Sequence, residues 1–431
     1  MNNTIAAFIP SLFSNSLVYD PPVVLTGVSF RTLDLNGREK LARHAPQPEH
    51  LAQRIVKEGL AKEAAVISTC NRFEILSVGG TGAGIRSFFE SIIGVKATSP
   101  EQLYQLHDQR AVRHLYRVSA SLDSMVLGEA QILGQVKQAY RQAVQAGSIG
   151  AHLHHLFQST FNVAKKVHSH TEIAQHGVSV SYVAVRLAQQ IFSNLGDTTV
   201  LIIGSGEMAE LSALHLCSHG CKRIIVANRT VERAAELAQR FGGVAVALAD
   251  IERILDQVDI VISSVSVDHP ILTRRSISLR AKNKPLFLID LGLPRNIAPE
   301  LSELESIYLY NIDDLATIAT ENRALREAAA QEAELIIEYG LLQFERWRAK
   351  VTAQPEIVDL RARVQRICSD EVARVVANDL NIQEAIATKL AYAISQKVAH
   401  ELTALLEQRL GINSDQELGV SPWERQTLVR P

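Results

Sequence analysis

Val200-Leu-Ile-Ile-Gly-Ser-Gly-Glu-Met-Ala209 is the stretch whose reading decides the fold. An apolar strand runs into a glycine turn, and the first turn of a helix follows. Only glycine lets a chain turn this tightly while bringing backbone N–H groups close to a pyrophosphate, and the positive end of the next helix faces the same anion. The pattern is G-x-G-x-x-A, and Ala209 keeps helix and strand in close contact. A second strand, Arg223–Ala227, follows at βαβ spacing and makes this a candidate dinucleotide site. Gly204, Ser205, Gly206, Glu207, Met208 and Ala209 are its cofactor-binding residues.

The second strand ends in Asn228-Arg229-Thr230, where a ribose reader belongs. An acidic residue there would suit NAD. An amide, a guanidinium and a hydroxyl suit a 2′-phosphate instead, which points to NADPH. Thr230 can also serve as the N-cap of the following helix.

Around this unit the chain has 431 residues, enough for about three domains. At 47% apolar and 21% charged it has the composition of a soluble globular protein, and a net charge of -2 advertises no basic field for nucleic acid. DNA is therefore not an expected partner. No apolar run is long enough to span a bilayer. The first 19 residues carry no charged side chain and read as a loose extension over 1–22. Cysteines at 70, 217, 221 and 368 are too scattered for a disulfide framework, which suggests a reduced, cytoplasmic protein.

Before the dinucleotide unit, strands are expected at Val23–Phe30, Ala64–Ser68 and Phe73–Val78. Helices are expected around Glu39–Arg43 and Pro48–Gly59, the mixture of a compact α+β domain. Gly79-Gly-Thr-Gly-Ala-Gly84 lacks phosphate-loop spacing and reads as a flexible turn. Ser68-Thr-Cys-Asn-Arg-Phe-Glu74 puts a cysteine at a strand end two residues before an arginine. A nearby cation favours the thiolate, so Cys70 is a candidate nucleophile; a buried structural cysteine is the other reading. From His114 to Lys137, Ser121, Asp123, Ser124, Glu129, Gln131 and Gln135 interrupt a helical apolar pattern in the manner of a site lining.

Several of these stretches together resemble glutamyl-tRNA reductase, the NADPH-dependent family that opens the five-carbon route to tetrapyrroles. They are Ser68-Thr-Cys-Asn-Arg72, Leu122–Lys137, Val178-Ser-Val-Ser181, Leu201–Leu211, Asn228-Arg-Thr230 and Asp290-Leu-Gly-Leu-Pro-Arg-Asn-Ile297. The resemblance runs from about residue 23 to about 350 and more weakly beyond. It implies that Cys70 attacks the glutamyl ester of a charged tRNA, with His114 beside the reaction centre. Thr69, Arg72, Ser124, Glu129 and Gln135 match positions that recognise glutamate, Arg72 being the natural clamp for a carboxylate. A thioester on Cys70 would then be reduced to glutamate-1-semialdehyde, with tRNA released. His114 would serve as acid or base at the leaving oxygen, or only orient the carbonyl. The resemblance further implies a homodimer and a partner that takes over the aldehyde, glutamate-1-semialdehyde aminomutase. The chain departs from the family at Ser29-Phe30, Phe73, Leu76 and Val265-Ser266.

Two other readings stand beside this one: a shikimate-type NADP-dependent dehydrogenase, and a non-catalytic relative that only holds tRNA. The expected architecture is α/β and multidomain. A catalytic α+β domain covers 23–170 and a Rossmann-like NADPH domain covers 171–312. A long spinal helix with a C-terminal all-α dimerisation domain covers 313–431. Within the Rossmann series, helices are expected at 178–193, 207–218 and 230–241, and strands at 198–203, 258–264, 285–291 and 307–312.

Six histidines between His152 and His176 read as a solvated helix face, and His215-Leu-Cys-Ser-His-Gly-Cys221 as a helix end with no metal. The spinal helix is expected to begin at Asp313-Asp314, with a stripe of Leu315, Ile318, Leu325, Ile336 and Phe344, and to be broken by Pro355. Ile386, Leu390, Ile394, Val398 and Leu402 form a seam suited to a partner helix. Arg346, Arg348, Lys350, Arg361, Arg363 and Arg366 offer a basic strip to tRNA. Because Cys70 and the glycine loop belong to different domains, reduction requires the domains to close or the spine to bend.

Overall fold

A computed structural model describes residues 21–93, 102–125, 131–171, 180–192, 194–277, 284–319, 323–378 and 384–409. Residues 1–20, Glu129, the first half of the Val178–Ser181 motif and the tail after Arg409 lie outside these. Two units make up the chain, one spanning Pro22–Ile337 and one holding Glu338 onward.

The first unit opens with β1 (Val23–Ser29), α1 (Leu35–His44), α2 (Pro48–Lys57), β2 (Glu63–Ser68) and β3 (Arg72–Val78). It continues through α3 (Gly82–Ile93), β4 (Tyr104–His107), α4 (Gln109–Ser119), α5 (Gln131–Gln145) and α6 (Ala151–His170). The strands form an antiparallel sheet in the order β2-β3-β1-β4. Leu51, Ile55, Ile75, Ile85 and Phe89 pack its core. Only the front of the expected glycine turn behaves as one, with Gly79 at φ +75°. From Gly82 the chain is α3: the Thr81 hydroxyl accepts the Gly84 N–H, and buried Ile85, Phe88 and Phe89 draw the helix onto the sheet.

Glu63 fixes the start of α6. Its buried carboxylate accepts the backbone N–H groups of Gly150, His152 and Leu153, supplying the negative charge that a helix N-terminus favours. Gly150 leaves the space, since a Cβ there would stand 2.6 Å from Glu63 Oε1. The face of α6 is less solvated than its histidines suggest: His152 and His155 are half-buried, and burial holds the His168 pKa below its ordinary value.

The nucleotide-binding half follows, with α7 (Val180–Ile191), β5 (Thr199–Ile203), α8 (Glu207–Ser218), β6 (Arg223–Asn228), α9 (Val231–Arg240) and β7 (Val244–Ala247). Next come β8 (Ile260–Ser263), β9 (Leu286–Asp290), β10 (Ile307–Asn311) and α10 (Ile312–Ala319). The strands are parallel in the order β10-β9-β8-β5-β6-β7, a doubly wound sheet whose order reverses at β5. Alternation within β5 serves both faces: Val200 and Ile202 join one apolar cluster, Leu201 and Ile203 the other. The edge strand β7 was not expected, being short and half-exposed.

Two C-terminal helices complete the chain, α11 (Arg323–Asn378) and α12 (Glu384–Arg409). The expected helix from Asp313 is a separate element, α10, whose Leu315 packs into the sheet core and not onto a spine. Pro355 does not break α11. It is exposed, while Ala353, Ile357, Leu360 and Val364 keep a continuous buried face, so the packing of the helix runs past the missing N–H. Within the second unit Ala399 of α12 packs with Leu360 and Val364 of α11, and Ser395 and Thr403 of α12 are buried. Its seam of Ile386, Leu390, Ile394 and Val398 is left 41–62% exposed. The basic strip is interrupted: Arg348 is buried and paired with Glu345, and Arg363 pairs with Asp359. No helix among the described residues is long and apolar enough to cross a membrane.

Glu63→Ala should lower unfolding stability by about 2 kcal/mol, since three N–H groups lose a charged acceptor. Denaturant titration at neutral pH checks this, and Glu63→Gln should recover part of the loss.

Candidate active site

Cys70 occupies the tip of a hairpin. β2 and β3 pair antiparallel up to Ser68 and Phe73, and the Thr69 N–H donates to the Arg72 carbonyl at 2.9 Å, leaving Cys70 and Asn71 as a two-residue turn. The Thr69 hydroxyl accepts the N–H groups of Asn71 (3.1 Å) and Arg72 (3.2 Å) and locks that turn. Cys70 is half-buried.

Behind the hairpin lies a buried charge network. Arg72 and Glu74, two apart on β3, share a face of the sheet. Glu74 is 0% exposed and accepts from Arg72 Nη1 (2.9 Å), His114 Nε2 (2.6 Å) and Tyr104 Oη (2.5 Å). Gly27 pairs with Glu74 across β1 and β3, and a Cβ on it would stand 2.7 Å from Glu74 Cγ. Glycine is thus what makes room for the carboxylate. Burial alone would raise the Glu74 pKa, but the charges of Arg72 and His114, with the hydrogen bonds from His114 and Tyr104, hold it at about 2. Tyr104 moves the other way, its phenol pushed well above its ordinary range by burial and the Glu74 charge.

Asp123 completes the network. It forms an ion pair with Arg31 at 2.7 Å, and its carbonyl accepts from Arg72 Nη2. Its carboxylate oxygen lies 3.7 Å from Arg72 Nη2 and 3.7 Å from His114 Nδ1. Burial would raise the Asp123 pKa, but Arg72, His114 and Arg31 hold it below the usual carboxylate range. Ionised Glu74 can only accept, so His114 Nε2 carries the proton it shares with Glu74.

A cleft opens beside Cys70, with walls from three places in the chain. The hairpin gives Thr69, Cys70, Asn71 and Arg72; the polar stretch gives Ser124, Gln131, Ile132 and Gln135; the nucleotide half gives Met208, Leu291 and Ile312. Gln131 is 7% exposed, and its Nε2 has no hydrogen-bond partner among the described residues. His114 does not line the cleft; it meets the wall through Arg72, 3.4 Å away. Glu129 lies outside the described residues. The Arg72 guanidinium is engaged by Glu74 and Asp123, so it is a compensated cation and not an isolated one.

The glycine loop sits where the parallel sheet reverses order. Gly204 has φ +119°, and a Cβ on it would stand 3.0 Å from the Ser264 carbonyl oxygen, so backbone conformation and space both demand glycine. At Gly206 no atom lies within 4 Å of such a Cβ, which leaves open space in front of the N-terminus of α8. Ala209 is fully buried against the sheet, while Glu207 is exposed on the first turn. Asn228 Nδ2 donates to Ser205 Oγ at 2.6 Å, tying the tip of β6 to the loop. Arg229 and Thr230 are exposed beside it, and Thr230 holds the N-cap position of α9 with no side-chain capping bond. The buried Ser264 hydroxyl has no partner among the described residues. An open cradle, uncommitted hydroxyls and an exposed guanidinium fit a nicotinamide dinucleotide.

Asp290 and Asn296 shape the loop that carries Leu291. The Asp290 carboxylate accepts the N–H groups of Gly292, Asn296 and Ile297. Burial raises its pKa to about 6 despite those bonds. Asn296 accepts from Ser263 Oγ and the Val265 N–H and donates to the Val265 and Pro294 carbonyls. The departure at Val265 is thereby tied to the loop through its backbone, which any residue supplies. Phe73 and Leu76, two other departures, are buried.

Comparison with known proteins places this arrangement. The family profile described as "Glutamyl-tRNAGlu reductase, N-terminal domain" matches residues 26–171, and its dimerisation-domain counterpart matches 332–418. A glutamyl-tRNA reductase from Desulfovibrio desulfuricans is 41% identical over 380 residues, covering 85% of this chain and 87% of that protein. The chain belongs to the glutamyl-tRNA reductase family. A family member from Saccharophagus degradans is 40% identical, covering 82% of this chain and 84% of the relative. The solved glutamyl-tRNA reductase from Methanopyrus kandleri is 27% identical, with a TM-score of 0.50 and coverage of 94% and 96%. A profile for shikimate / quinate 5-dehydrogenase matches only 186–318, so the shikimate-type reading survives as a likeness of the nucleotide half. The protein is an oxidoreductase of this family, and its nucleotide half is of the nicotinamide-dehydrogenase type.

The ordinary glutamate pKa is 4.5, and Glu74 stands at about 2. Its charge therefore stabilises the fold above pH 4.5, and that contribution is lost as pH falls toward 2. Glu74→Gln should flatten the acid limb of the stability profile between these values, read by denaturant titration across pH.

Proposed function

We propose that the protein reduces glutamyl-tRNA to glutamate-1-semialdehyde and releases tRNA, the first step of tetrapyrrole formation from glutamate, with NADPH as reductant. The observation that carries this reading is the shared cleft, in which Cys70 at the hairpin tip adjoins Met208 and Leu291 of the nucleotide half. Thr69, Arg72, Ser124 and Gln135 bind the glutamyl group, and Glu129 matches a further position of that set. Gln131, which the sequence reading placed only among the lining, offers an uncommitted amide donor in the same cleft.

The Cys70 thiolate attacks the ester carbonyl carbon. The C–S bond forms, the C–O bond to the tRNA 3′-oxygen breaks, and that oxygen takes a proton as the tRNA leaves. Bound in the nucleotide half, NADPH would supply the hydride for reduction of that thioester, and Cys70 would leave as the thiolate when the C–S bond breaks and the aldehyde is released. Gly204 to Ala209 cradle the pyrophosphate, and Asn228, Arg229 and Thr230 receive the 2′-phosphate. His114, held on Glu74, keeps Arg72 and the cleft wall in place. The exposed seam of α12 pairs with a second copy, forming a homodimer. Glutamate-1-semialdehyde aminomutase is the partner suited to take over the labile product.

With charged tRNA and NADPH, Cys70→Ser should lower turnover by more than about 1,000-fold without loss of fold. A shikimate-type dehydrogenase would be indifferent to that change. Arg229→Ala should raise the KM for NADPH by about 10-fold and leave that for NADH unchanged. Initial rates with each nucleotide check both outcomes.

A further inference from the structure

Two charged side chains that this chemistry does not use stand side by side on α1. Arg38 is 4% exposed and reaches in two directions. Its Nη1 donates to the Cys70 carbonyl and to Asn71 Oδ1, both at 3.1 Å. Its Nη2 donates to both carboxylate oxygens of Asp313 at 2.6 Å. Asp313 lies in the first turn of α10, which is anchored in the core of the parallel sheet by Ile312 and Leu315. The neighbouring Glu39 accepts from Arg295 Nε at 3.0 Å and Nη2 at 2.8 Å. Arg295 also donates to Asn36 Oδ1 at 2.7 Å.

One short helix thus meets the carboxyl-end edge of the nucleotide half with a cation opposite an acid and an acid opposite a cation. Sliding the contact by one residue would set like charges together, so the pairs fix a register. A guanidinium this buried needs its charged partner, since the Cys70 carbonyl and the Asn71 amide supply no compensating charge.

We propose that Arg38–Asp313 and Glu39–Arg295 form a latch seating the nucleotide half against the Cys70 hairpin, and that Arg38 is a positioning residue for hydride transfer. The proposal rests on the reading above, in which Cys70 is first acylated and then reduced. Acylation needs Cys70, charged tRNA and the polar side chains of the catalytic domain, and the nucleotide half adds only the apolar wall of Met208, Leu291 and Ile312 to it. Reduction needs the thioester carbon within about 3–3.5 Å of the hydride donor, so it depends on where that half sits. Through Arg38 one side chain holds both the backbone of the nucleophile and the first turn of α10.

The test measures the two steps separately in the full chain. Cys70 acylation is followed by tRNA release from glutamyl-tRNA without NADPH, and hydride transfer by NADPH absorbance after mixing with acylated protein. Asp313→Asn should acylate at the wild-type rate and transfer hydride about 100-fold more slowly. Asp313→Glu, which keeps the carboxylate, should recover part of that loss. Glu39→Gln should give the same split and serves if Asp313→Asn does not fold. Hydride transfer at the wild-type rate in both variants overturns the latch. A parallel loss of acylation, reduction and thermal stability also overturns it, since that marks a merely structural contact. Wild-type protein that releases tRNA without acquiring a glutamyl group on Cys70 overturns the earlier reading, and the latch with it.

Discussion

A carboxylate sealed from water must be matched by charge and hydrogen bonds or it will not stay ionised, and the N-terminal domain is arranged around one such group, Glu74. Arg72, His114 and Tyr104 converge on its Oε1. Binding Glu74 Oε1 fixes the guanidinium of Arg72, which in turn forms part of the cleft wall next to Cys70, while Glu74 Oε2 has no hydrogen-bond partner among the described residues. It also fixes the tautomer and orientation of His114. Gly27 belongs to the same constraint from the opposite strand, because any side chain there would occupy the space of Glu74. The nucleophile is mobile chemistry on a rigid support: a two-residue turn, locked by one threonine hydroxyl, on strands whose interior is over-determined.

The nucleotide half contributes a second kind of rigidity. Gly204 is demanded by its own backbone and by the crowding of Ser264 and Val265, whereas Gly206 faces open space. One glycine serves the fold and the other is kept for what approaches it. Beyond β9, Asp290 and Asn296 spend their polar groups on a loop that presents Leu291 to the cleft. The two halves therefore meet as prepared surfaces, with α1 supplying the charged contacts between them.

The parallel sheet was legible because its signals are local: an apolar run, a glycine pair and a ribose-end tripeptide follow in order, and every strand but β7 falls within a residue or two of expectation. Cys70 was legible as a candidate from its strand-end position and neighbours. Glu74 was not, although it ends the same quoted heptapeptide, because its role depends on Gly27 and Tyr104, which the sheet register brings together, and on His114, which α4 carries to it. Arg38 and Asp313 lie 275 residues apart, and no spacing rule links them. Pro355 misled for a different reason: a proline weakens a helix through one hydrogen bond, but the packed face of α11 runs past it on the other side. The basic strip was a sequence pattern without a partner list, and Glu345 and Asp359 neutralise two of its members.

The claim on which the mechanism turns is that the acyl group passes through the sulfur of Cys70. Incubating the protein with glutamyl-tRNA in the absence of NADPH, then quenching in acid and mapping peptides by mass spectrometry, observes that directly. The account predicts a glutamyl adduct on the Cys70 peptide that disappears when NADPH is added before the quench. Sustained aldehyde formation with that peptide unmodified at every time point would contradict it.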